Sequence, residues 1–224
     1  MACILNLETA STNCSVALFR DGELLAVRED RSPQYSHGEN LHLYIEAVLS
    51  EAGLEARQLE AVAVGKGPGS YTGLRIGVSA AKGLGYALDI PLIGLPTLRV
   101  LADACPQKAG IRIPMVDARR MEVYASVYDG EGTEIRETRA EILNPESYRE
   151  FSGSPVHLIG PGAAKAAGLL ELPDMHIHAD LLPSALQMGP LAEAAYRGGR
   201  FEDLAYFEPY YLKNFIPFGG KSPA

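Results

Sequence analysis

The sequence predicts a mixed α/β fold built as two related units. Three observations carry that prediction. Short apolar runs alternate with helical periodicities through roughly the first hundred residues. A tight "RDGE" at 20–23 joins two of the opening runs as a hairpin. The second half then repeats the strand–helix order more loosely. Strands alternating with helices imply a mixed sheet covered by helices.

Taken in order, "ACILNL" at 2–7, "CSVALFR" at 14–20 and "ELLAVRE" at 23–29 read as three antiparallel strands. Residues 36–54 follow with Leu41, Ile45, Val48, Leu49 and Ala52 at helical spacing, and Gly53 stops the helix. "LEAVAVGKG" at 59–67 reads as a buried strand, followed by a glycine-rich loop and a second helix over about 73–88. "LIGL" after Pro91 is another short strand. Beyond a Pro-, Lys- and Gly-containing boundary at 101–110, "IRIPMVDA", "EVYASVYD" and "TEIRETRAEI" are further strands. Residues 145–151 suggest a short helix, 155–160 a strand, and 163–170 another short helix. Ser184 caps a helix running to about Arg197, ahead of two glycines. The domain reading is a first lobe at 1–103 joined by the aromatic tail 207–224, and a second, degenerate lobe at 104–206. The closing "KSPA" reads as disordered.

The formal net charge of -8 argues against a protein that grips a phosphate backbone alone, because that affinity comes from Lys and Arg. Cys3, Cys14 and Cys105 form no CxxC pair and no disulfide framework, and Cys3 and Cys14, in apolar runs, read as buried thiols in a reducing cytosol. No apolar run approaches the ~20 residues of a membrane span, and no leader pattern is expected.

The densest motif is "GKGPGSYTGLRIGVSAAKGLG" at 65–85. Its loop, Gly67, Pro68, Gly69, Ser70, Tyr71, Thr72 and Gly73, lies between a strand and a helix, where backbone N–H groups can face an anion. It is neither a Walker loop nor a dinucleotide fingerprint. A tight connection capped by Thr72 explains it equally well. In the helix after it, Gly73, Gly77, Ala81 and Gly85 recur every four residues as a nearly smooth ridge. Glycine costs roughly 1 kcal/mol at each interior helix position, so a close neighbour should compensate. That neighbour is either this protein's own sheet or another chain's helix. His37 and His42 are misspaced for a shared metal. His176 and His178 alternate as in a strand, and no third ligand is evident beside them, so all four read as structural. No GxSxG elbow supports a hydrolase.

"ILNLETASTNCSVAL", "VAVGKGPGSYTGLRIGVSAAKGL" and "VDARRMEVYASVYD", with "PSALQMGPLAEAAY" and "FEPYYLK", together resemble the TsaB family, also called YeaZ, over nearly the whole chain. The resemblance implies an actin-like, ribonuclease H-like fold of two lobes. It implies a non-catalytic partner of TsaD, the catalytic paralogue that transfers threonylcarbamoyl to the tRNA adenosine beside the anticodon. TsaE, an ATPase, joins them; ATP and metal are expected in those partners, with none intrinsic here. A homodimer is expected when the protein is alone, tRNA contact only through the complex, and a cytoplasmic location. The alternative is an actin-like ATP-dependent phosphotransferase. Against it, Glu8-Thr9-Ala10-Ser11 lacks the glycine of a phosphate hairpin, and Asp117 is followed by Ala118, Arg119 and Arg120. The resemblance places the partner interface on the two N-terminal helices. It gives Leu41, Ile45 and Val48 from the first, and the ridge Gly73, Gly77, Ala81 and Gly85 from the second.

Overall fold

The structure, a computed structural model, describes residues 2–32 and 36–213. Its strands are β1 (Cys3–Glu8), β2 (Cys14–Arg20), β3 (Glu23–Asp30), β4 (Ala61–Gly65), β5 (Leu92–Leu95), β6 (Ile111–Asp117), β7 (Glu122–Tyr128), β8 (Glu134–Ile142), β9 (Val156–Ile159) and β10 (Met175–His178). The α-helices are α1 (His37–Glu51), α2 (Tyr71–Leu88), α3 (Thr97–Asp103) and α4 (Ala185–Arg197).

The strands form two five-stranded sheets, ordered β3-β2-β1-β4-β5 and β10-β9-β6-β7-β8. The second order is the first one read from the other end. In each sheet a leading strand pairs antiparallel with the next, which pairs antiparallel with a third. The leading strand also pairs parallel with the fourth, and the fourth with the fifth. One topology is therefore used twice, and the molecule is a two-lobed actin-like α/β fold.

Local chemistry explains the elements. Asp21 and Gly22 both take positive φ, 54° and 83°, as a primed hairpin turn between β2 and β3 requires. At the end of α1, Gly53 is left-handed at φ 65°. The Leu54 N–H reaches the Leu49 carbonyl at 2.9 Å, closing the helix with a Schellman motif. Ser70, not Thr72, caps α2: its side chain accepts the Gly73 N–H. Thr72 is exposed.

Helices α1 and α2 cover one face of the first sheet. Leu41, Ile45, Val48, Val78 and Ala81 join Leu5, Leu7, Val16, Val62 and Val64 in one core. The opposite face is covered by α4, whose Met188 and Ala192 pack with Ile4, Ala17, Ala63 and Ile93. Gly189 lets the Phe19 ring lie against the α4 backbone, where any side chain would collide with it. So α4 belongs to the first lobe. The second lobe ends before residue 184 rather than at 206. Helical periodicity marks which face of α4 is apolar but not which sheet receives it.

The short helix α3 went unread in the sequence. It follows β5 yet packs Leu98 and Leu101 against Val116 and Ile159 of the second sheet. Each sheet's last helix is thus given to the other lobe. Between β8 and β9, and between β9 and β10, the second lobe has only 3-10 turns, Arg149–Phe151 and Pro161–Ala166, where helices were expected. The tail begins as expected: Phe207 enters the first core, the Tyr210 N–H donates to the Lys66 carbonyl at 2.7 Å, and Lys82 Nζ holds the Ala205 and Phe207 carbonyls. The expectation for 214–224, including "KSPA", lies outside the described residues. Among those described, no helix is long and apolar enough to cross a membrane.

Candidate functional site

The sequence pointed to the hairpin after β1 and the loop after β4. Glu8 closes β1 and is fully buried. Its carboxylate accepts the Ala10 N–H at 2.8 Å and the Thr97 hydroxyl at 3.4 Å. Gly65, at the end of β4, lies so close that any side chain there would collide with the Glu8 carboxylate. Burial raises the Glu8 pKa to about 7, while the Ala10, Thr97 and Thr9 donors act in the opposite direction. The carboxyl thus holds its proton to higher pH than an exposed glutamate does.

The glycine-rich loop is turned onto that hairpin. The Gly67 N–H donates to Thr97 Oγ1 at 3.1 Å, and the Ser70 N–H to the Ala10 carbonyl at 2.7 Å. Gly73 and Leu74 donate to the Ser70 side chain and carbonyl. Gly67 and Pro68 are buried, and a side chain at Gly69 would strike Ala10. The reading of residues 67–73 as an anion-facing cradle is thus corrected. The donors of Gly67, Ser70 and Gly73 are consumed inside the molecule, and Gly69 and Gly73 lie directly against Ala10 and Thr9. Tyr71 and Thr72 form the outer shoulder of the loop.

The equivalent turn of the second lobe joins β6 to β7. Asp117 accepts the Arg119 N–H at 2.6 Å and pairs with Lys165 at 2.8 Å. Arg119 and Arg120 adopt positive φ, 70° and 49°, with exposed side chains. Nothing in this turn offers the backbone approach that a glycine would.

The interface residues named from sequence need the larger correction. Leu41, Ile45 and Val48 are core residues with 0–6% exposure. The ridge faces inward as well. A side chain at Gly73 would collide with the Thr9 carbonyl, and one at Gly77 with Thr9 Oγ1. That hydroxyl donates to the Gly73 carbonyl at 2.8 Å. Ala81 is wholly buried, and Gly85 abuts Leu204 of the tail segment. The ridge seats the β1–β2 hairpin at Gly73 and Gly77 and Leu204 at Gly85, so its small faces are filled from within the chain.

What α1 and α2 do expose is a different strip. His42, Tyr71, Thr72, Arg75, Ile76, Ser79, Ala80, Gly83 and Leu84 line an open groove of about 660 Å³. Leu43 and Tyr86 stand beside it, 60% and 84% exposed. No side chain lies within 4 Å of where a Gly83 Cβ would sit. The same helical spacing that betrayed the inner ridge also contained this outer one, at Ser79, Ala80, Gly83 and Ala87.

The doubled sheet, the exchanged helices and the closed hairpin define a two-lobed protein of the actin-like class. The family model for TsaD, tRNA N6-adenosine threonylcarbamoyltransferase, matches residues 32–210. The chain is 34% identical over 226 residues to the tRNA threonylcarbamoyladenosine biosynthesis protein TsaB of Escherichia coli K12, covering 95% of each. It is 32% identical to the Haemophilus influenzae TsaB, covering 95% of this chain and 94% of that one. The structure of YeaZ from Pseudomonas aeruginosa superposes with a TM-score of 0.82 at 29% identity, over 95% of this chain and all of the other. The chain belongs to the TsaB (YeaZ) family.

Proposed function

We propose that this protein acts in tRNA threonylcarbamoyladenosine biosynthesis as a non-catalytic subunit that docks on a TsaD-type paralogue. The observation that carries the reading is the closed hairpin: residues 8–11 and 67–73 fill each other's space, and Glu8 is sealed beneath them. An actin-like phosphotransferase needs that space for nucleotide phosphates. ATP and the catalytic metal then belong to the partner subunits, TsaD and the ATPase TsaE, and tRNA is met through the complex in the cytoplasm.

The docking face is the outer groove of α1 and α2. It offers an apolar floor of Ile76, Ala80 and Leu84, with small residues at Ser79 and Gly83 that admit a neighbouring helix. Two helices per side can supply the ~800 Å² per partner of a standard interface. In the absence of TsaD the same face pairs two copies of this chain, so homodimer and heterodimer compete.

Mixing the protein with its TsaD on a sizing column tests this. A 1:1 complex at the expense of homodimer is expected, and Gly83→Leu should abolish both assemblies while the chain stays folded. Steady ATP turnover by the isolated protein, lost in Glu8→Ala, would overturn the non-catalytic reading.

A further inference from the structure

Helix α3 ends beside the edge of the second sheet, and three soft or borderline donors meet there. Cys105 follows α3, His157 lies on β9, and His178 lies on β10. The sheet explains the pairing. His176 is the register partner of His157, and His178 of Ile159. With a side-chain period of two, positions 157, 159, 176 and 178 share one face of the parallel pair. Cys105 packs with Ile159 and Leu101 over that face.

The distances are those of a chelate. Sγ of Cys105 and one nitrogen from each of His157 and His178 lie within 4.8 Å of one another. His157 Nδ1 and His178 Nε2 are 3.2 Å apart. Two imidazole nitrogens at ~2.0–2.1 Å from a tetrahedral zinc are about 3.3–3.4 Å apart, and a thiolate at ~2.3 Å lies about 3.6 Å from each. The nitrogens already stand at that separation, and the sulfur needs to close by no more than about 1 Å. Cys105 and His157 are buried and His178 is half-buried, so the site has one open side. Burial lowers the His157 pKa, and the neighbouring His176 and His178 lower it further. The His176 ring stacks on His157 with centroids 5.0 Å apart, while its Nε2 meets Asp174 at 2.8 Å. It supports the site without entering it.

We propose that Cys105, His157 and His178 form a three-ligand Zn²⁺ site, with the fourth position left to water. Zinc suits one thiolate and two imidazoles better than hard cations do, and three protein ligands leave a tetrahedral ion one open place. On binding, the Cys105 S–H bond breaks and its proton goes to solvent as the Zn–S bond forms. Each imidazole stays neutral: the ring that donates in the His157–His178 hydrogen bond gives up that inner proton and takes one on its outer nitrogen, so that both inner nitrogens face the ion. The His157–His178 hydrogen bond is replaced by two Zn–N bonds. No electron is transferred. The ion then clasps the connector after α3 to the β9–β10 edge, fixing the helix that lies between the lobes.

The test uses the full chain, stripped of metal and titrated with Zn²⁺ alone or with Co²⁺ as a spectroscopic probe. One ion per chain is expected. About one proton should be released per ion as the Cys105 S–H bond gives way to Zn–S. At free Zn²⁺ about 100-fold above Kd, Tm should rise by about 5–10 °C. The Co²⁺ form should show a thiolate-to-metal charge-transfer band. Cys105→Ser and His178→Gln should each weaken Zn²⁺ binding by at least about 100-fold. His176→Ala should bind nearly as the wild type does. Should Cys105→Ser fail to fold, the half-buried His178→Gln and the Co²⁺ spectrum of the unaltered chain carry the decision. The proposal is overturned by Zn²⁺ binding that is absent or equal in His178→Gln and the wild type. A Co²⁺ spectrum without a sulfur band also overturns it. Because no assembly or activity is read, failure here leaves the subunit reading standing.

Discussion

Glu8 should make this protein lose stability as pH rises through neutrality, and Glu8→Gln should remove that loss. The ordinary glutamate pKa of 4.5 is raised to about 7 by complete burial. That gap is a factor of roughly 300 in proton affinity, or about 3 kcal/mol at 1.36 kcal/mol per tenfold. The sign follows from linkage. The folded state holds the proton more tightly than the unfolded state, so folding is helped at low pH. Below about 4.5 both states are protonated and nothing is lost. Between 4.5 and 7 the unfolded chain ionises first, and stability declines. Above about 7 the full cost of roughly 3 kcal/mol is in place. Glutamine has no such term. It must, however, turn its amide so that oxygen still accepts the Ala10 N–H, and a misfit there costs about 1 kcal/mol at every pH. Urea unfolding of both proteins at pH 5 and pH 8 isolates the effect, since all other titrating groups are shared. The variant should gain about 2–3 kcal/mol on the wild type between those two pH values. A difference between the proteins that stays flat from pH 5 to pH 8 would refute a buried, proton-sharing Glu8.

Other outcomes follow from the same geometry. Gly77→Leu should unfold or strongly destabilise the chain, by about 3 kcal/mol or more, because the leucine must displace Thr9; circular dichroism and thermal melting measure this. Gly83→Leu should melt no lower than the wild type yet run as a monomer on a sizing column. Ser70→Ala should cost about 1 kcal/mol through loss of the α2 cap, read by urea unfolding. Lys82→Met should release the segment at 205–207, seen as faster amide hydrogen exchange there with little change in Tm, since Lys82 binds two carbonyls of that segment.

The sheet strands, α1, α2 and α4 were legible because alternation, helical spacing and turn residues are local signals. The primed turn at Asp21 and Gly22 and the stop at Gly53 are written in adjacent residues. Helix α3 was not legible: "TLRVLAD" has only seven residues, about two turns, too few to establish a helical period. The second lobe's expected helices shrank to 3-10 turns because short runs such as "AAKAAGLL" carry little apolar length. At the site, the sequence located the right segments and assigned them the wrong sides. A small-residue ridge says that something approaches closely; it does not say whose atoms approach. The partner of Gly77 is Thr9, far away in sequence. Cys105 and His157 were likewise invisible as companions of His178, because only the β9–β10 register and the path of α3 bring them together.

Helix α2 carries small residues on two faces, and the two faces differ in what compensates them. Gly73 and Gly77 weaken the helix by roughly 1 kcal/mol each, and Thr9 repays that inside the chain with a hydrogen bond and a close fit. Gly85 is matched by Leu204. Gly83 has the same intrinsic cost, yet no atom within 4 Å uses the space its missing side chain leaves. An alanine there would strengthen the isolated helix at no steric cost. The vacancy makes physical sense when a second backbone lies along the groove, as the proposed docking requires. Among the described residues, 3-10 turns stand in the second lobe where α1 and α2 stand in the first. Helices α1 and α2 thus cover one face of the first sheet together, and Gly83 lies in the groove on their outer side.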